Sequence, residues 1–446
     1  MNRYTDMMGR TSFTDEEKNA LSVRLRHAAQ RQGTRRPIRV TRRAVCVAAV
    51  ATAVCIAGAA AAPTIVRMAQ GSIGFFNGTQ DSLRYGSQAV FEQFSSAVGS
   101  SLTHGGVTLT IDNIALDDSY LGVFFTASSD QDIRSTDIEA PEHWLASWAA
   151  PSFTVKADGE ELRTPGNLEI DARYVDEHTL TGMQRLALPK LIGDTVDLVL
   201  TAPSVLGEEA DWRFALTVDK SAAGVQSLSA EPMQEVDFGG RRIRIDKVSI
   251  SPLGNTITIS EQPGKDEYPS SAFALRDDKG NYLPVIDNGL DGTAPGQRAV
   301  NTFSFAGAST DIKSLTLVPI EETGGIKTAS SIDQYPIAKP AQPGAGYYQI
   351  DKLEIGGKRA VATISTHGFA GSVNPELTLL DESGEDIAFS GDVYMDQSCD
   401  PKTGIWTVTL YYPDATAAEV AKIKQAGLWQ MNAVLDESGA ATVSLQ

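Results

Sequence analysis

Cysteine is scarce in this chain of 446 residues, which contains only three. Cys46 and Cys55 lie in one apolar segment, so Cys399 alone belongs to the large region that follows. A single cysteine has no internal partner with which to form a disulfide. It also cannot supply the several thiolates of a structural zinc site. The sequence therefore excludes a disulfide framework and a thiolate zinc site in that region.

The usual signatures of catalysis are missing as well. The five histidines are scattered and form no His-x-x-x-His pair, so a zinc hydrolase has no support. No Gly-x-Ser-x-Gly elbow, Ser-x-x-Lys motif, phosphate-binding loop or Gly-x-Gly-x-x-Gly motif occurs. We therefore predict that the protein is not an enzyme and has no catalytic residues and no cofactor.

Basic residues are outnumbered beyond residue 66. Residues 67–446 carry 27 Lys and Arg against 52 Asp and Glu, which gives a net charge of −25. A region this acidic repels phosphate backbones, so we predict that it binds no nucleic acid. Residues 1–43 have the opposite character, with a net charge of +7.

Three short acidic clusters could in principle hold calcium, which prefers carboxylate oxygens. None of them has the spacing of an EF-hand loop. We interpret the clusters as solvated turns and predict no metal site. They consist of Asp112, Asp117 and Asp118; Asp277 and Asp278; and Asp396 with Asp400.

An uncharged stretch runs from Ala44 to Val66, between Arg43 and Arg67. As a helix it would be about 34 Å long, against roughly 30 Å for the hydrocarbon core of a bilayer. We therefore predict a transmembrane helix at residues 44–66. Basic residues cluster only before it, which predicts a cytoplasmic N-terminus and an extracytoplasmic C-terminal region in the cell membrane. The residues that set this topology are Arg35, Arg36, Arg39, Arg42 and Arg43.

A cleaved signal is the main alternative to a retained anchor. Ala60-Ala61-Ala62 resembles a cleavage site, but the 43 residues before the apolar stretch are far longer than the n-region of a secretory signal. Thr41-Arg42-Arg43 resembles a twin-arginine signal, although the apolar pattern after it is weak. Lipidation at Cys55 is disfavoured because Val54 replaces the small residue of a bacterial lipobox. The retained anchor is the favoured interpretation.

One strand-like motif occurs three times, at residues 111–116, 245–250 and 350–355. Each copy begins Ile-Asp and alternates apolar with polar residues, as half-buried strands do. Residues 273–283 and 377–387 have the pattern of hairpins with a Gly-containing turn. With 39 Gly and 20 Pro in the chain, these patterns favour an all-β architecture.

We predict a mainly β fold, with one transmembrane helix followed by three serial immunoglobulin-like β-sandwich domains. Residues 219–236 and 321–345 are rich in Ala, Ser, Gly and Pro and are interpreted as linkers. An insertion containing Trp144 and Trp148 interrupts the first sandwich. The predicted division is a basic cytoplasmic tail with a short helix at 1–43, the span at 44–66, a juxtamembrane amphipathic helix within 67–101, and sandwiches at 102–220, 236–322 and 346–446.

Several stretches in the first half of the chain share their order and spacing with a known family. They are Arg42-Arg43, Gly71–Phe76, Gly105–Asp112, Leu121–Phe125 and Trp212–Val218. Over about residues 35–220 the chain resembles the bacterial domain-of-unknown-function family 4179. The resemblance implies a single-pass membrane protein that acts as an anti-sigma-factor-like regulator. It implies no catalytic residues.

The tail contains a candidate docking helix. Thr14 and Glu17 have the spacing of a capping box that starts a helix running to about Gln30. On such a helix Leu21, Leu25 and Ala28 fall on one stripe, which makes them the candidate partner-binding residues. The alternative is that the tail only supplies the charge that sets the topology.

These features lead to one functional hypothesis and one competitor. We predict a membrane-anchored extracytoplasmic regulatory or sensory protein, with the lipid bilayer and an unidentified extracellular ligand as partners. The family resemblance implies a cytoplasmic sigma factor as the partner of the tail. The competing interpretation is a cell-surface structural or adhesion protein with no cytoplasmic signalling role.

Overall fold

The computed structural model describes residues 64–65, 88–134, 140–162, 168–220, 226–269, 272–289, 294–339, 345–371 and 374–445. Within these ranges the chain forms 27 strands and three short α-helices. The strands make six sheets, which pair around three separate apolar cores. The mainly β prediction is therefore confirmed. We call the three pairs of sheets the first, second and third units.

The first unit has one sheet in the order β1-β10-β9-β5-β6 and a second in the order β2-β3-β4-β8-β7. Trp212 and Phe125 are fully buried between them. Its elements are β1 (Thr64–Ile65), α1 (Gln88–Phe94), β2 (Ser95–His104), β3 (Val107–Leu116), β4 (Tyr120–Ser129), α2 (Glu142–Ala149), β5 (Thr154–Ala157), β6 (Glu160–Glu161), β7 (Leu168–Tyr174), β8 (Thr179–Ala187), β9 (Thr195–Ala202) and β10 (Trp212–Asp219).

The second unit begins at residue 228. Its first sheet has the order β11-β13-β14-β18-β17, with β12 also paired to β13, and its second sheet contains β16, β15 and β19. Phe303 and Phe305 lie in the core between the sheets. The strands are β11 (Leu228–Ala230), β12 (Gln234–Phe238), β13 (Arg241–Ser251), β14 (Gly254–Glu261), β15 (Ala274–Asp277), β16 (Tyr282–Leu283), β17 (Val285–Gly289), β18 (Ala299–Phe305) and β19 (Ser314–Val318).

The third unit follows, and the chain then returns to the second. Its sheets have the orders β20-β26-β23 and β21-β22-β25-β24, whereas the last strand, β27, pairs with β19 of the second unit. Trp406 and Tyr412 are buried in the third core. The elements are β20 (Ile320–Ser331), β21 (Gly346–Ile355), β22 (Arg359–Gly368), β23 (Glu376–Leu380), β24 (Tyr394–Cys399), β25 (Trp406–Tyr411), α3 (Ala417–Val420), β26 (Gln425–Leu435) and β27 (Ala441–Ser444).

The three Ile-Asp repeats are β-bulges at equivalent positions. They lie in β3, β13 and β21, and each strand shifts its pairing with the strand that follows by one residue at the aspartate, which is Asp112, Asp246 or Asp351. A bulge inserts one unpaired residue and so reverses the faces of the side chains beyond it. In the first two copies the next residue, Asn113 or Lys247, consequently points away from the core of its own unit, and it is buried by other residues that cover that face.

The predicted transmembrane helix needs a correction at its end. Thr64 and Ile65 form β1, which pairs in parallel with Leu216 and Thr217 of β10. Pro63 precedes them, and proline disfavours helical conformation in the residue before it. Residues 44–63 lie outside the described part of the chain, and no helix within that part is long and apolar enough to cross a bilayer.

The predicted amphipathic helix before the first sandwich ends at Phe94, and a strand occupies the rest of its predicted range. The structure describes α1 only over Gln88–Phe94, and β2 begins at Ser95. Phe91 and Phe94 of α1 are buried in a small apolar cluster, and β2 has a bulge between Ala97 and Ser100 that contains Gly99 at a φ of +64°. Residues 67–87 lie outside the described ranges.

The boundary between the second and third units also needs a correction. Residues 320–331, placed largely in a linker by the sequence, form the longest strand, β20, which pairs with β26. Its side chains are mostly exposed on both faces, so it lacks the alternation that reveals a half-buried strand. Strand β27 leaves the predicted third sandwich, because Val443 and Leu445 complete the core of the second unit. The short helix α3, capped by Thr416, lies between β25 and β26.

The return of β27 makes the second unit dependent on the C-terminus. Val443→Asp places a carboxylate in a fully buried position, which should lower the free energy of unfolding of this unit by on the order of 3 to 5 kcal/mol. Thr442→Asp is the matched control, because the side chain of Thr442, the residue next to Val443, is exposed. Urea denaturation followed by limited proteolysis should report the difference. Equal stability of the two variants would show that β27 does not hold the second unit.

Candidate functional site

The strongest polar and aromatic contacts of the described residues lie where the units meet. The described part of the chain contains no cluster of three or more side chains suited to a metal ion. Each pair of units is in contact, so there are three junctions. We describe them in turn, because a polar or cleft-forming junction is where a β-rich protein of this kind can respond to a ligand.

The first junction joins two equivalent hairpin turns. The turn between β3 and β4 of the first unit meets the turn between β13 and β14 of the second. The Ser119 hydroxyl donates to Oγ of Ser249 at 2.9 Å, and the Tyr120 hydroxyl lies 2.6 Å from Oγ of Ser304. The Arg185 guanidinium lies over the Tyr120 ring at 3.5 Å. Gly254 sits against both side chains, where an added Cβ would lie 2.7 Å from Arg185 and Tyr120.

A fully buried carboxylate links these turns. Asp117 Oδ1 accepts hydrogen bonds from the backbone N–H groups of Ser119 and Tyr120, at 2.7 and 2.9 Å. Its Oδ2 accepts one from the N–H of Leu253, across the junction, at 2.7 Å. Burial raises the pKa of Asp117, and the hydrogen bonds from these backbone groups oppose that rise. The carboxylate therefore acts as a polar cross-link between the two units.

A buried lysine lies at the same junction. Lys247 has no exposed surface, and its Nζ donates to the carbonyl of Leu188 in the first unit at 2.6 Å. Burial lowers the pKa of Lys247 to about 7, although the nearby charges of Asp117 and Asp118 oppose this shift. Asp118 itself forms an ion pair with Lys220. The junction thus buries an amine whose charged form is disfavoured by burial.

The second junction is a clasp formed by helix α2, the insertion of the first unit. His143 Nε2 lies 2.6 Å from Oδ2 of Asp396 in β24 of the third unit, and Trp144 Nε1 donates to Oδ1 at 2.7 Å. The Trp144 ring packs edge-on against Tyr394 at 5.2 Å. On its other face, α2 buries Ala146 in the first core. One helix therefore connects the first unit to the third.

The third junction contains a cleft of about 240 Å³ between the second and third units. The hairpin of β15 and β16 and the residue Pro284 form one wall, and β22 and the turn between β24 and β25 form the other. The carbonyl of Pro401 holds the walls together by accepting hydrogen bonds from the N–H of Gly307 at 3.0 Å and from Nδ2 of Asn255 at 3.3 Å. This is a small, polar site shared by two units.

Ser365 on the wall of this cleft belongs to a network that resembles part of a hydrolytic site. Its Oγ lies 3.1 Å from Nε2 of His367 and 3.2 Å from Oδ1 of Asp351. In a Ser-His-Asp arrangement the carboxylate orients the histidine. Here Asp351 contacts the serine instead, and the single hydroxyl hydrogen can be donated to only one of them. The network is arranged for polar contacts and lacks the order that nucleophilic catalysis needs.

The prediction that the acidic clusters are solvated turns is wrong for several of their members, because Asp117 and Asp277 are buried and Asp396 forms the clasp. Asp112 accepts from the hydroxyl of Thr126 at 2.7 Å, and burial raises the pKa of its carboxyl to about 6. Asp278 accepts from the N–H of Lys313, and Asp400 from the N–H of Thr403. Cys399 is buried, and burial together with the charge of Asp400 raises the pKa of its thiol.

None of the predicted site residues lies in the described part of the chain, and the residues at the junctions were not predicted. The partner-binding candidates Leu21, Leu25 and Ala28 lie outside the described residues, as do the topology residues Arg35, Arg36, Arg39, Arg42 and Arg43. The junction residues Lys247, His143 and Asp396 were not predicted as functional. Lys247 occupied a polar position in the sequence pattern, and it is buried because the bulge turns it to the outer face of its sheet, where it meets the first unit. The paired Trp residues were the one sequence signal near the clasp.

Two family models match parts of the chain. Residues 38–129 match the Domain of unknown function (DUF4179). This match confirms the resemblance predicted from the sequence, over a shorter range than the predicted 35–220. Residues 228–356 match the Family of unknown function (DUF5643), a range that covers most of the second unit and the first strands of the third. No curated protein matches the chain in sequence.

Solved structures offer only distant similarity. The conserved domain protein from Bacillus anthracis is 13% identical, with 80% of this chain and 93% of that chain covered, at a TM-score of 0.39. The N-terminal eight Ig domains of Down Syndrome Cell Adhesion Molecule are 11% identical, with 77% of this chain and 43% of that chain covered, at a TM-score of 0.15. Similarity at this level does not establish a shared fold or function.

The buried lysine gives the first junction a defined pH dependence. Between its pKa of about 7 in the folded protein and its ordinary value of 10.5, the unfolded chain binds a proton that the folded chain does not. The free energy of unfolding should therefore rise with pH above 7, by at most about 1.4 kcal/mol per pH unit. Lys247→Met should remove this slope in urea denaturation at pH 7, 8 and 9.

Lys352→Met is the matched control, because Lys352 follows the bulge of the third repeat and its side chain is 66% exposed. It should keep the slope. A Lys247→Met protein that is as pH-dependent as the wild type would show that another group titrates.

The clasp should depend on one carboxylate. Asp396→Ala removes the acceptor of both His143 and Trp144, so the backbone of α2 should exchange its amide hydrogens faster, by roughly five- to tenfold for a loss of about 1 kcal/mol. Asp386→Ala, which removes an exposed carboxylate of the third unit that is paired with Lys327, is the control. Hydrogen-exchange mass spectrometry of Glu142–Ala149 measures the effect, and unchanged exchange in Asp396→Ala would show that the contact does not hold the helix.

Proposed function

We propose that the protein is a membrane-anchored extracytoplasmic regulatory protein, in which the three β units sense a ligand and the basic tail binds a cytoplasmic partner. The observation that carries the proposal is the pairing of β1 with β10. This pairing ties the last residues of the apolar stretch to the first unit. A change in the position of the β region is thereby passed to the anchor without a flexible linker between them.

The position of β1 is compatible with an anchor of sufficient length. An anchor over residues 44–63 would have 20 residues without a charge, about 30 Å as a helix, which matches the hydrocarbon core of a bilayer. The basic cluster on its N-terminal side favours a cytoplasmic tail. The acidic character of the region beyond it, with a net charge of −25, is compatible with a soluble extracytoplasmic domain.

The three junctions support a β region that moves as one body. The first unit contacts the second through Asp117 and Lys247, and the third through α2. The second and third share the return of β27 and the cleft. In a closed set of three contacts, a shift at one junction must be accommodated at the other two, which is a useful property in a sensor.

A cell-surface structural or adhesion protein is the second candidate. The same observation of three mutually contacting β units favours it, because such a body also makes a stiff spacer. In that case the tail has no partner, and its charges serve only to orient the anchor. The two candidates therefore differ in what the tail does.

The regulatory proposal predicts that the tail recruits a cytoplasmic protein through its apolar stripe. Leu21→Asp combined with Leu25→Asp should abolish co-purification of this partner, because both changes place a charge where a docking groove needs an apolar side chain. Affinity purification of the full chain from membranes, followed by mass spectrometry, identifies the partner. The family resemblance makes a sigma factor the expected one.

The control adds the same charge to the other side of the helix. Asn19→Asp combined with Val23→Asp, at two positions opposite the stripe, should leave partner recovery and membrane insertion unchanged. Protease added to intact protoplasts should digest the β region and leave the tail protected in every variant. Recovery of the partner by the Leu21/Leu25 variant, or the absence of any partner for the wild type, would favour the structural candidate.

A further inference from the structure

The cleft between the second and third units has a shape suited to a small ligand. At about 240 Å³ it is far larger than the roughly 10 to 15 Å³ that one water molecule needs. It is smaller than the roughly 300 to 1,000 Å³ of pockets for drug-sized molecules. Gly404, at a φ of +71°, brings one wall close to Pro284 on the other, since an added Cβ would lie 3.4 Å from Pro284 Cγ.

The charged groups around the cleft are already paired. Asp277 accepts from the N–H groups of Lys279 and Asn281 and from the amide of Asn281. Arg276, beside the ring of Tyr282, forms two hydrogen bonds with Glu437. A charged ligand would therefore have to compete for its counter-charge. A neutral ligand has no such competition.

The uncharged lining groups are both donors and acceptors. The second unit contributes Asn281 and Tyr282 to the lining, and the third contributes Ser365, Thr366 and Thr403. A hydroxyl can donate one hydrogen bond and accept two. Ser365 is held in place by Asp351 and His367, so its orientation is set before a ligand arrives.

The remaining lining is apolar. Pro284 and Ile405 face the same cleft from opposite units, and the Tyr282 ring is packed against Phe369 at 6.4 Å. A cavity with apolar walls and a few fixed polar groups suits a molecule with both kinds of surface. A sugar ring is such a molecule, because its C–H faces are apolar and its edge carries hydroxyls.

We infer that this cleft binds a neutral, hydroxyl-rich ligand of about the size of a monosaccharide. The inference rests on the proposed sensory function, for which it supplies the chemical class of the ligand. Because both units line the cleft, the ligand binds the two of them in one relative position. Binding therefore stabilises the closed arrangement of the three units.

The test uses the full chain in lipid nanodiscs, which avoids detergents with sugar headgroups. Glucose and N-acetylglucosamine are the neutral probes, glucuronate is the charged comparison, and saturation-transfer NMR with isothermal titration calorimetry detects binding. At least one neutral probe should bind at concentrations up to about 10 mM, in the range of weak affinity, and glucuronate should bind at least tenfold more weakly than that probe. A linear tetrasaccharide of the same sugar identifies the source of the ligand. If the cleft takes only a free sugar, the tetrasaccharide should not displace the bound probe. If the cleft takes part of a glycan chain, the tetrasaccharide should displace the probe.

Two variants locate the binding in the cleft. Thr403→Trp fills it and should reduce affinity at least tenfold, whereas Lys402→Trp, on the same turn but outside the lining, should leave affinity unchanged. Ser365→Ala removes one fixed hydroxyl without adding bulk and should reduce affinity several-fold. No binding of either neutral probe to the wild type, or equal binding by Thr403→Trp, would overturn the inference. Those results would leave the tail and topology experiments unaffected, and a failure of the tail to recruit a partner would leave sugar binding intact.

Discussion

The one-residue bulge at each Ile-Asp repeat is the constraint on which the arrangement of the units depends. In β3, β13 and β21 the aspartate is the extra residue, and every side chain beyond it changes face. In the second unit this change carries Lys247 from the core face of the sheet to the outer face, where the first unit covers it. It also sets the face of Ser249, which bonds to Ser119 in the first unit. Without the bulge, the residues that join the first two units would point elsewhere.

The first junction is specific at a cost in stability. A buried ammonium and a buried carboxylate each lose several kcal/mol of hydration, which their mutual attraction only partly offsets. The lowered pKa of Lys247 and the raised pKa of Asp117 are the signs of this cost. In return, Lys247 bonds to Leu188 and Asp117 to Leu253 across the junction, which fixes one relative position of the two units. An apolar junction of the same area would hold more firmly but would tolerate several positions.

The sequence predicted the features that depend on local pattern. Alternation and Gly-containing turns revealed the repeated strands, and the hairpins at β15–β16 and at residues 380–386 are confirmed. The turn glycines, Gly280 and Gly384, adopt φ values of +85° and +86°, which glycine accommodates without strain. The mainly β class follows from the same patterns.

The features that depend on distant contacts were not predictable in the same way. Strand β20 lacks alternation because neither of its faces is covered, so only its partner β26 defines it. Strand β27 resembles any short strand, and nothing in its own residues reveals that it returns to β19. The burial of Lys247 can be predicted only when the bulge is known. The contacts of Asp396 with His143 and Trp144 join residues about 250 positions apart in sequence. The cleft has lining residues from four separate segments, so no local motif marks it.

The return of β27 explains why the second and third units cannot be treated as independent beads. The chain enters the third unit through β20 and leaves it through β26, which are neighbours in one sheet. It then crosses back, so that β19 and β27 lie side by side in the second unit. The two chain segments that pass between the units therefore lie next to each other. They form a double connection, because β19 pairs with β27 in the second unit and β20 pairs with β26 in the third. Such a connection restricts twisting between the units more than a single linker would.

Opening of the cleft is consequently confined to a hinge-like movement about this connection, and the clasp of α2 on Asp396 ties the third unit to the first. A ligand that closes the cleft would thus transmit a movement to the contact between α2 and Asp396. Through the first unit, the same movement would reach β1 and the segment that precedes it.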